Sequence, residues 1–440
     1  MSPLLGPILA QLVTLGVSDR TEARYVVSGT TPGQQPQGVA VTKSPRFEGA
    51  TYPRINLDFG WRHSPLNTTS LSLGYAPSFT VTPLDSADRE LYVFQQANFL
   101  ASHSRRYERT TLTLSQSLNV YEYNFQQQAL GFPGVGLGGP SGPNAQPGAP
   151  PSAATPGSTP GTGSTVQPPP GTGAPGGVQF RAADRTVRVF TEATTVSFAQ
   201  LFSQVLTGGA DFSYTVAGSV YEVDRDIYPI IGTPRALFYA NYRIARRDTL
   251  TSSLSVQYAG QPTGNNAIMT VANETWSHRF DQRTTTTLGG GLSVSRNSQP
   301  DGLVYWNVYP TFNAGINHVA PLGHGAVNFG ANAYSAPALD PVRASFDPRL
   351  SLGVFAGYGL ERFSLTLAAN SAISFGGTAN QGGLNTVFGS LIASYLVGTA
   401  LSVDAGARIA YQTFNSQTTI PPGIAFFVGL TFGARAPLNH

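Results

Sequence analysis

The stretch RINLDFGWRH, residues 54–63, alternates apolar and polar side chains almost perfectly. Ile55, Leu57, Phe59 and Trp61 share one face, and Arg54, Asn56, Asp58 and Arg62 share the other. Successive side chains of a strand point to opposite faces, so this strand meets an apolar medium on one side and water on the other. The same period of two runs through Arg362–Phe375 and Leu401–Thr413, and through Ile424, Phe426, Val428, Leu430 and Phe432 near the end. Such segments begin near Val13, Arg54, Thr69, Glu90, Tyr107, Arg185, Leu206, Arg235, Thr249, Ala267, Arg283, Leu303, Gly325, Arg349, Arg362, Leu384, Leu401 and Gly423. That is about eighteen strands; the first, fourth, sixth and sixteenth alternate poorly, which leaves sixteen as a second even count.

Composition removes the competing classes. The chain has 440 residues, 41% hydrophobic but only 11% charged, where a soluble domain carries about 25% charged. No apolar run reaches the roughly 18 residues a spanning helix needs. With no cysteine there is no disulfide framework, and recurrent Tyr and Phe argue against disorder over most of the chain. Lys43 is the only lysine among 26 basic residues, and the arginines are scattered rather than clustered, so no nucleic-acid surface is indicated. What remains is an all-β fold, a transmembrane antiparallel up-and-down β-barrel.

The connections sort by parity. Short ones follow His63 and lie near Arg105, Ser203, Asp248, Gln282, Gly323, Glu361 and Gly398. Longer ones rich in Gly, Pro, Asn and Asp span Thr30–Ala50, Val223–Pro234, Gly260–Asn266, Asn297–Gly302, Ala336–Pro348, Gly376–Gly383 and Asn415–Pro422. Short turns on one side and long loops on the other are expected of periplasmic and extracellular ends respectively. The longest, residues 123–180, contains no charged residue and centres on a Pro/Gly/Ser/Thr tract that reads as an unfolded extracellular loop. Residues 1–17 read either as a signal-peptide remnant, with LLGPILAQLVTLGV as its apolar core, or as the lead-in to the first strand. Residues 18–434 form the barrel and 435–440 a periplasmic tail. No plug domain or energy-coupling segment is seen before the barrel, an argument against an active siderophore-type transporter.

Aromatic residues fall at two levels, with Trp61, Tyr242, Tyr358, Phe363, Tyr395 and Phe432 near the short turns, and Phe79, Trp306, Phe375 and Tyr411 near the long loops. These are expected interfacial girdles. A barrel hydrolase would need a histidine base at the outer rim. His63, His103, His278, His318 and His324 instead sit by short turns, His440 lies in the tail, and no metal or phosphate motif accompanies them. No enzyme activity and no cofactor are expected. The pore-lining candidates are Arg54, Asp58, Arg235, Arg243, Asp404 and Arg408, with Asp404 expected to pair with Arg408. The basic candidates of the periplasmic rim are Arg62, Arg105, Arg106, Arg246, Arg247, Arg279, Arg283 and Arg362. Such charge either concentrates an anionic solute or binds anionic headgroups and braces the wall.

Alternating strands, parity-sorted loops, aromatic girdles and the terminal IAFFVGLTF together resemble bacterial outer-membrane β-barrel proteins, over about Arg54–Phe432. The run TLGVSDRTEARY, the strand pair SLGYAPSFTVTPL and the eighteen strands look like the barrels of myxobacterial-type polysaccharide secretion. That resemblance implies a conduit for polymer working with a periplasmic polysaccharide-export protein; outer-membrane lipid and the barrel assembly machinery are the other expected partners. A barrel of sixteen to eighteen strands leaves an aqueous channel. The expectation is a passive channel for polysaccharide or other hydrophilic cargo, with a general diffusion porin, or an adhesion barrel displaying its long loop, as alternatives.

Overall fold

Each alternating segment has two different media to satisfy, and a register slip of one residue would exchange them, so the pattern fixes strand pairing. The structure is a computed structural model that describes residues 11–28, 46–64, 66–82, 90–123, 187–225, 229–340, 344–374, 384–414 and 418–437. In these, eighteen antiparallel strands form one closed sheet. They are β1 (Gln11–Ser28), β2 (Arg46–Thr51 and Arg54–Ser64), β3 (Asn67–Tyr75 and Ser78–Thr82), β4 (Glu90–Phe94 and Gln96–Arg106), β5 (Thr110–Tyr123) and β6 (Val187–Leu201). Next come β7 (Leu206–Ser219), β8 (Ile231–Ala245), β9 (Asp248–Gly260), β10 (Asn266–Arg279), β11 (Thr284–Ser298) and β12 (Val304–Leu322). The last are β13 (Gly325–Asp340), β14 (Ser345–Gly359), β15 (Phe363–Ser374), β16 (Leu384–Leu396), β17 (Leu401–Phe414) and β18 (Thr418–Pro437).

Every strand pairs with its neighbours in sequence, and β1 pairs with β18 from Thr14↔Pro437 to Ser28↔Gly423. Closure leaves no free sheet edge in the hydrocarbon, where each unpaired backbone group would cost several kcal/mol (about 2–7). The interruptions in β2 and β3 fall at Pro53 and Pro77, which have no N–H to give the ladder. One face of the wall is apolar and exposed, with Phe212, Phe238, Leu254, Leu288, Val354 and Leu430 along it. The other carries Ser, Thr, Asn, Gly and the buried charges described below. The apolar face meets lipid and the polar face lines the lumen.

The structure departs from the sequence reading in three places. Residues 46–50, expected in the loop Thr30–Ala50, already belong to β2, where Ala50 stands between Glu22 of β1 and Thr80 of β3. Thr418–Pro422, expected as loop, open β18, which pairs with β17 there from Phe414↔Thr418 to Gln412↔Ile420. Of Ala336–Pro348, also expected as an extracellular loop, residues 336–340 and 345–348 form the upper ends of β13 and β14. These segments project above the lipid, where no apolar alternation marks a strand, because about 9–11 residues suffice to span. Of the stretch 4–17, Gln11–Val17 lie in β1. Residues 1–10, 124–180, Phe375 and His440 lie outside the described residues.

The β13–β14 hairpin turns inward at its top. Phe346 and Ala344 pack against Ala217, Ile231, Ala259, Ala267 and Met269, which project from the luminal face of β7 to β10. The interior at the mouth is therefore partly filled by the barrel's own wall.

Candidate pore lining and rim

Three surfaces of the lumen carry chemistry. The first is a belt of amides and hydroxyls at mid-height. In it a glycine stands between two polar residues on the flanking strands: Asn56↔Gly74↔Asn98, Thr275↔Gly289↔Asn313 and Asn332↔Gly353↔Asn370. At each glycine the neighbouring polar oxygen occupies the space a Cβ would take, with Asn56 Oδ1 2.9 Å, Thr275 Oγ1 2.7 Å and Asn370 Oδ1 2.9 Å from that position. The missing side chain lets the amide lie flat along the wall, so the belt narrows the lumen little while offering donors and acceptors. Thr251 Oγ1 donates to Asn241 Oδ1 at 2.7 Å, and Thr275 and Asn313 meet at 3.2 Å. Ser72 Oγ donates to Asp58 Oδ1 at 2.7 Å, and Arg54 Nε to Asn56 Oδ1 at 3.0 Å.

The second surface is a buried charge cluster on the seam where β1 meets β18. Glu22 lies 3.3 Å from Arg20, 3.5 Å from Arg24 and 3.5 Å from Arg408, and accepts from the Tyr52 hydroxyl at 3.3 Å. Arg24 reaches Glu48 at 3.3 Å. The Arg408 guanidinium sits 4.2 Å from the centre of the Phe427 ring, and that of Arg20 5.4 Å. Four strands, β1, β2, β17 and β18, are thus tied together by groups whose charges are shielded from water. The expected Asp404–Arg408 pair is not made. Residues four apart on a strand are about 13 Å apart at 3.3 Å per residue; Asp404 instead accepts from Thr431 Oγ1 at 2.7 Å, and Arg408 turns to Glu22.

The other lumen candidates separate in height. Arg235, on the luminal face of β8, interacts electrostatically with Asp211 of β7 and with Tyr334 of β13 across the lumen. Arg243 stands lower, at the register shift between Arg243 and Ala245, next to the short turn. Arg20, Glu22, Arg24 and Glu48 were missed by sequence reasoning. The signal was present: SDRTEARY places Arg20, Glu22 and Arg24 at every second position.

The third surface is the rim formed by the short turns. Arg62, Arg105 and Arg106 stand at the lower ends of β2 and β4, Arg246 and Arg247 between β8 and β9, Arg279 and Arg283 around the turn after β10, and Arg362 just before β15. Part of their capacity goes into the turns themselves. Arg247 Nη1 donates to Phe280 O at 2.8 Å, Arg279 Nε to Asp281 O at 3.1 Å, and Arg105 lies 5.0 Å from the Tyr107 ring centre. Asp281 Oδ1 accepts the N–H groups of Arg283 and Thr284, both at 2.7 Å, and these bonds hold its carboxyl below the usual carboxylate range. The described histidines stay at this end: His278 contacts Asp248 at 2.7 Å, His318 contacts Thr284 at 2.8 Å, and His63 and His103 both contact Thr69. Among the described residues no group of His, Cys, Asp and Glu is arranged to hold a metal ion.

The family profile of EpsX, the exopolysaccharide export family, matches residues 66–420. The chain belongs to this family. No curated protein matches it. Among solved structures, this EpsX-family barrel is similar to the FrpB iron transporter from Neisseria meningitidis, at 9% identity and a TM-score of 0.48, covering 95% of this chain and 81% of that one. It is also similar to the outer membrane protein OpdK from Pseudomonas aeruginosa, at 12% identity and a TM-score of 0.43, covering 98% of this chain and all (100%) of that one. An export family on a closed barrel with a polar lumen supports a channel.

Proposed function

We propose that this EpsX-family barrel sits in a bacterial outer membrane and passes an exported polysaccharide, or another hydrophilic polymer, outward through its lumen. The belt of Asn, Thr and Ser carries the reading beyond family membership. Flat amides and hydroxyls exchange hydrogen bonds with sugar hydroxyls one at a time and hold none of them strongly, so a chain can slide from one set of partners to the next. Fixed opposed charge rows, which would grip a small ion, are replaced here by charges paired within the wall. The basic rim faces the periplasm in this reading and meets the periplasmic export protein that delivers the polymer. Outer-membrane lipid surrounds the barrel, and the barrel assembly machinery inserts it.

The test is current through the refolded barrel in a planar bilayer, followed by addition of neutral dextrans of graded size to the short-turn side. A conduit of this kind carries steady or gated current that dextran entry blocks, and Asn98→Asp with Asn332→Asp lengthens or shortens the block without abolishing current. A folded barrel whose current ignores dextran of every size refutes the polymer reading.

A further inference from the structure

The outer face of β2 to β5 carries an apolar groove and, below it, a basic cleft. Ile55, Leu57, Leu73, Phe99, Leu118 and Val120 line the groove, of about 340 Å³. At the short turns, Ser64, Asn67, Arg105, Arg106 and Arg109, with the acid Glu108, line a shallow cleft of about 660 Å³. Between the two, Thr69 and Leu73 share a face of β3 four residues apart, or about 13 Å at 3.3 Å per residue. Phe59 and Trp61 stack with ring centres 5.8 Å apart on this same wall, one step above His63. Such aromatic residues mark the edge of the hydrocarbon.

The period of two decides which medium each charge meets. Arg105 stands opposite Leu112, and His103 opposite Leu114, both exposed on the lipid side. Arg106 shares the other face with Ser104, toward the lumen. Two adjacent arginines of one turn therefore serve different media. Among the described residues Arg105, Arg106 and Arg109 make no ion pair, and Glu108 leaves the cleft net positive.

Beside Arg105 runs a short hydrogen-bonded chain. Thr69 Oγ1 lies 3.1 Å from His63 Nε2 and 2.9 Å from His103 Nδ1, and both imidazoles are exposed. A hydroxyl has one proton, so Thr69 donates to one neutral ring and accepts from the other. In either arrangement one imidazole N–H remains for an outside acceptor. An anion beside Arg105 selects the arrangement in which Thr69 donates to His103 Nδ1 and the proton of His103 sits on Nε2.

We propose that this wall is a phospholipid site. The phosphate diester of an anionic lipid in the periplasmic leaflet lies in the cleft against Arg105, Arg109 and the His103 imidazole, and its acyl chains run up the groove between Leu57 and Leu118. The inference rests on the outer-membrane reading. Arginine meets a phosphate through charge-assisted, bidentate hydrogen bonds, and the leaflet's surface is where such groups are concentrated. The site lies on the side wall between groove and turn, which a lipid reaches directly, whereas a periplasmic protein approaches the turn tips from below.

The chain has three tryptophans, and Trp276→Phe with Trp306→Phe leaves Trp61 as the reporter. The barrel is refolded into vesicles of phosphatidylcholine and phosphatidylglycerol with brominated acyl chains on one lipid or the other, using preparations that keep the heat-shifted gel migration of a folded barrel. Quenching of Trp61 should show phosphatidylglycerol preferred about fivefold, the effect of one cationic side chain at a membrane surface. Arg105→Gln with His103→Gln should erase the preference, Arg105→Lys should keep most of it, and Arg106→Gln should leave it unchanged. No preference in the parent, an equal loss in Arg106→Gln, or a preference that inorganic phosphate removes overturns the lipid site while leaving the barrel in the membrane. A Trp61 that neither brominated lipid quenches overturns the outer-membrane reading and the site with it.

Discussion

Glu22 is the hub of the seam, so Glu22→Gln is the most informative single change. The substitution keeps shape but removes the carboxylate that three guanidiniums share at 3.3–3.5 Å. Glu48, 3.3 Å from Arg24, then remains as a carboxylate of the cluster. Removing one member of a buried pair costs about 3–5 kcal/mol. The value belongs at the low end, about 3 kcal/mol, because the side chains of Arg20 and Arg408 keep 20% and 10% exposure and regain some water, whereas Arg24 has none. The assay is urea unfolding of the barrel in lipid vesicles, followed by tryptophan fluorescence. Adding Arg408→Gln to Glu22→Gln should restore part of the loss, because it removes one unbalanced charge, and the coupling energy should fall within about 0.5–3 kcal/mol. A Glu22→Gln barrel within about 0.5 kcal/mol of the parent would show that the cluster does not hold the seam.

Three further outcomes are expected. Gly291→Ala should destabilise the barrel by about 1–3 kcal/mol, because its new Cβ meets the Ala272 carbonyl, a backbone atom that cannot turn aside. Gly290→Ala, whose nearest neighbour would be 3.6 Å away, should be nearly silent in the same urea titration, and equal effects at the two positions would refute the packing argument. Asp281 holds its turn through a carboxyl with a depressed pKa, so the stabilisation is present above the ordinary carboxylate range and is lost as pH falls through the depressed value. The protection factor of the Thr284 amide, its exchange rate corrected for the intrinsic rate at each pH, should therefore fall on acidification in the parent but be low throughout in Asp281→Ala; matching neutral-pH protection in both would refute it. Replacing Arg246, Arg247, Arg279 and Arg283 by Gln should lower anion preference, read as a smaller reversal potential in a salt gradient, with less effect at high salt. An unchanged reversal potential would mean these arginines do not see the permeating ions.

The lipid-crossing part of the fold was open to sequence reading because it answers to one rule. Residues 54–63 have lipid on one side, and every second side chain records it. Above the lipid the rule lapses: residues 46–50, 336–340 and 345–348 are strands that face water, or the barrel's own interior, on both sides, so their composition resembles that of loops. The lumen was harder for a different reason. A polar luminal face was evident from Asn56, Asp58 and Asp404, yet Glu22, which Arg408 pairs with, lies on β1, nearly the whole chain away in sequence. Spacing along one strand suggested Asp404, four residues off, where strand geometry forbids a direct pair. Phe346 is likewise an apolar residue on an apparently solvent-facing segment until the seat on β7 to β10 is seen.

The seam between β1 and β18 also governs how the barrel comes into being. Thr14 stands opposite Pro437, so this pairing can form only after almost all the rest of the sheet exists. Such long-range contacts are slow to find, and until they form the nearly complete sheet carries two open edges that invite pairing with another chain. Arg20, Glu22 and Arg24 stand on one of those edges, while Arg408 and Phe427 approach with the other. Before closure charged side chains on the waiting edge make it a poor template for foreign strands; on closure Arg408 joins Glu22 and the cluster is shut away from water. The cluster is thus a guard before closure and a lock after it.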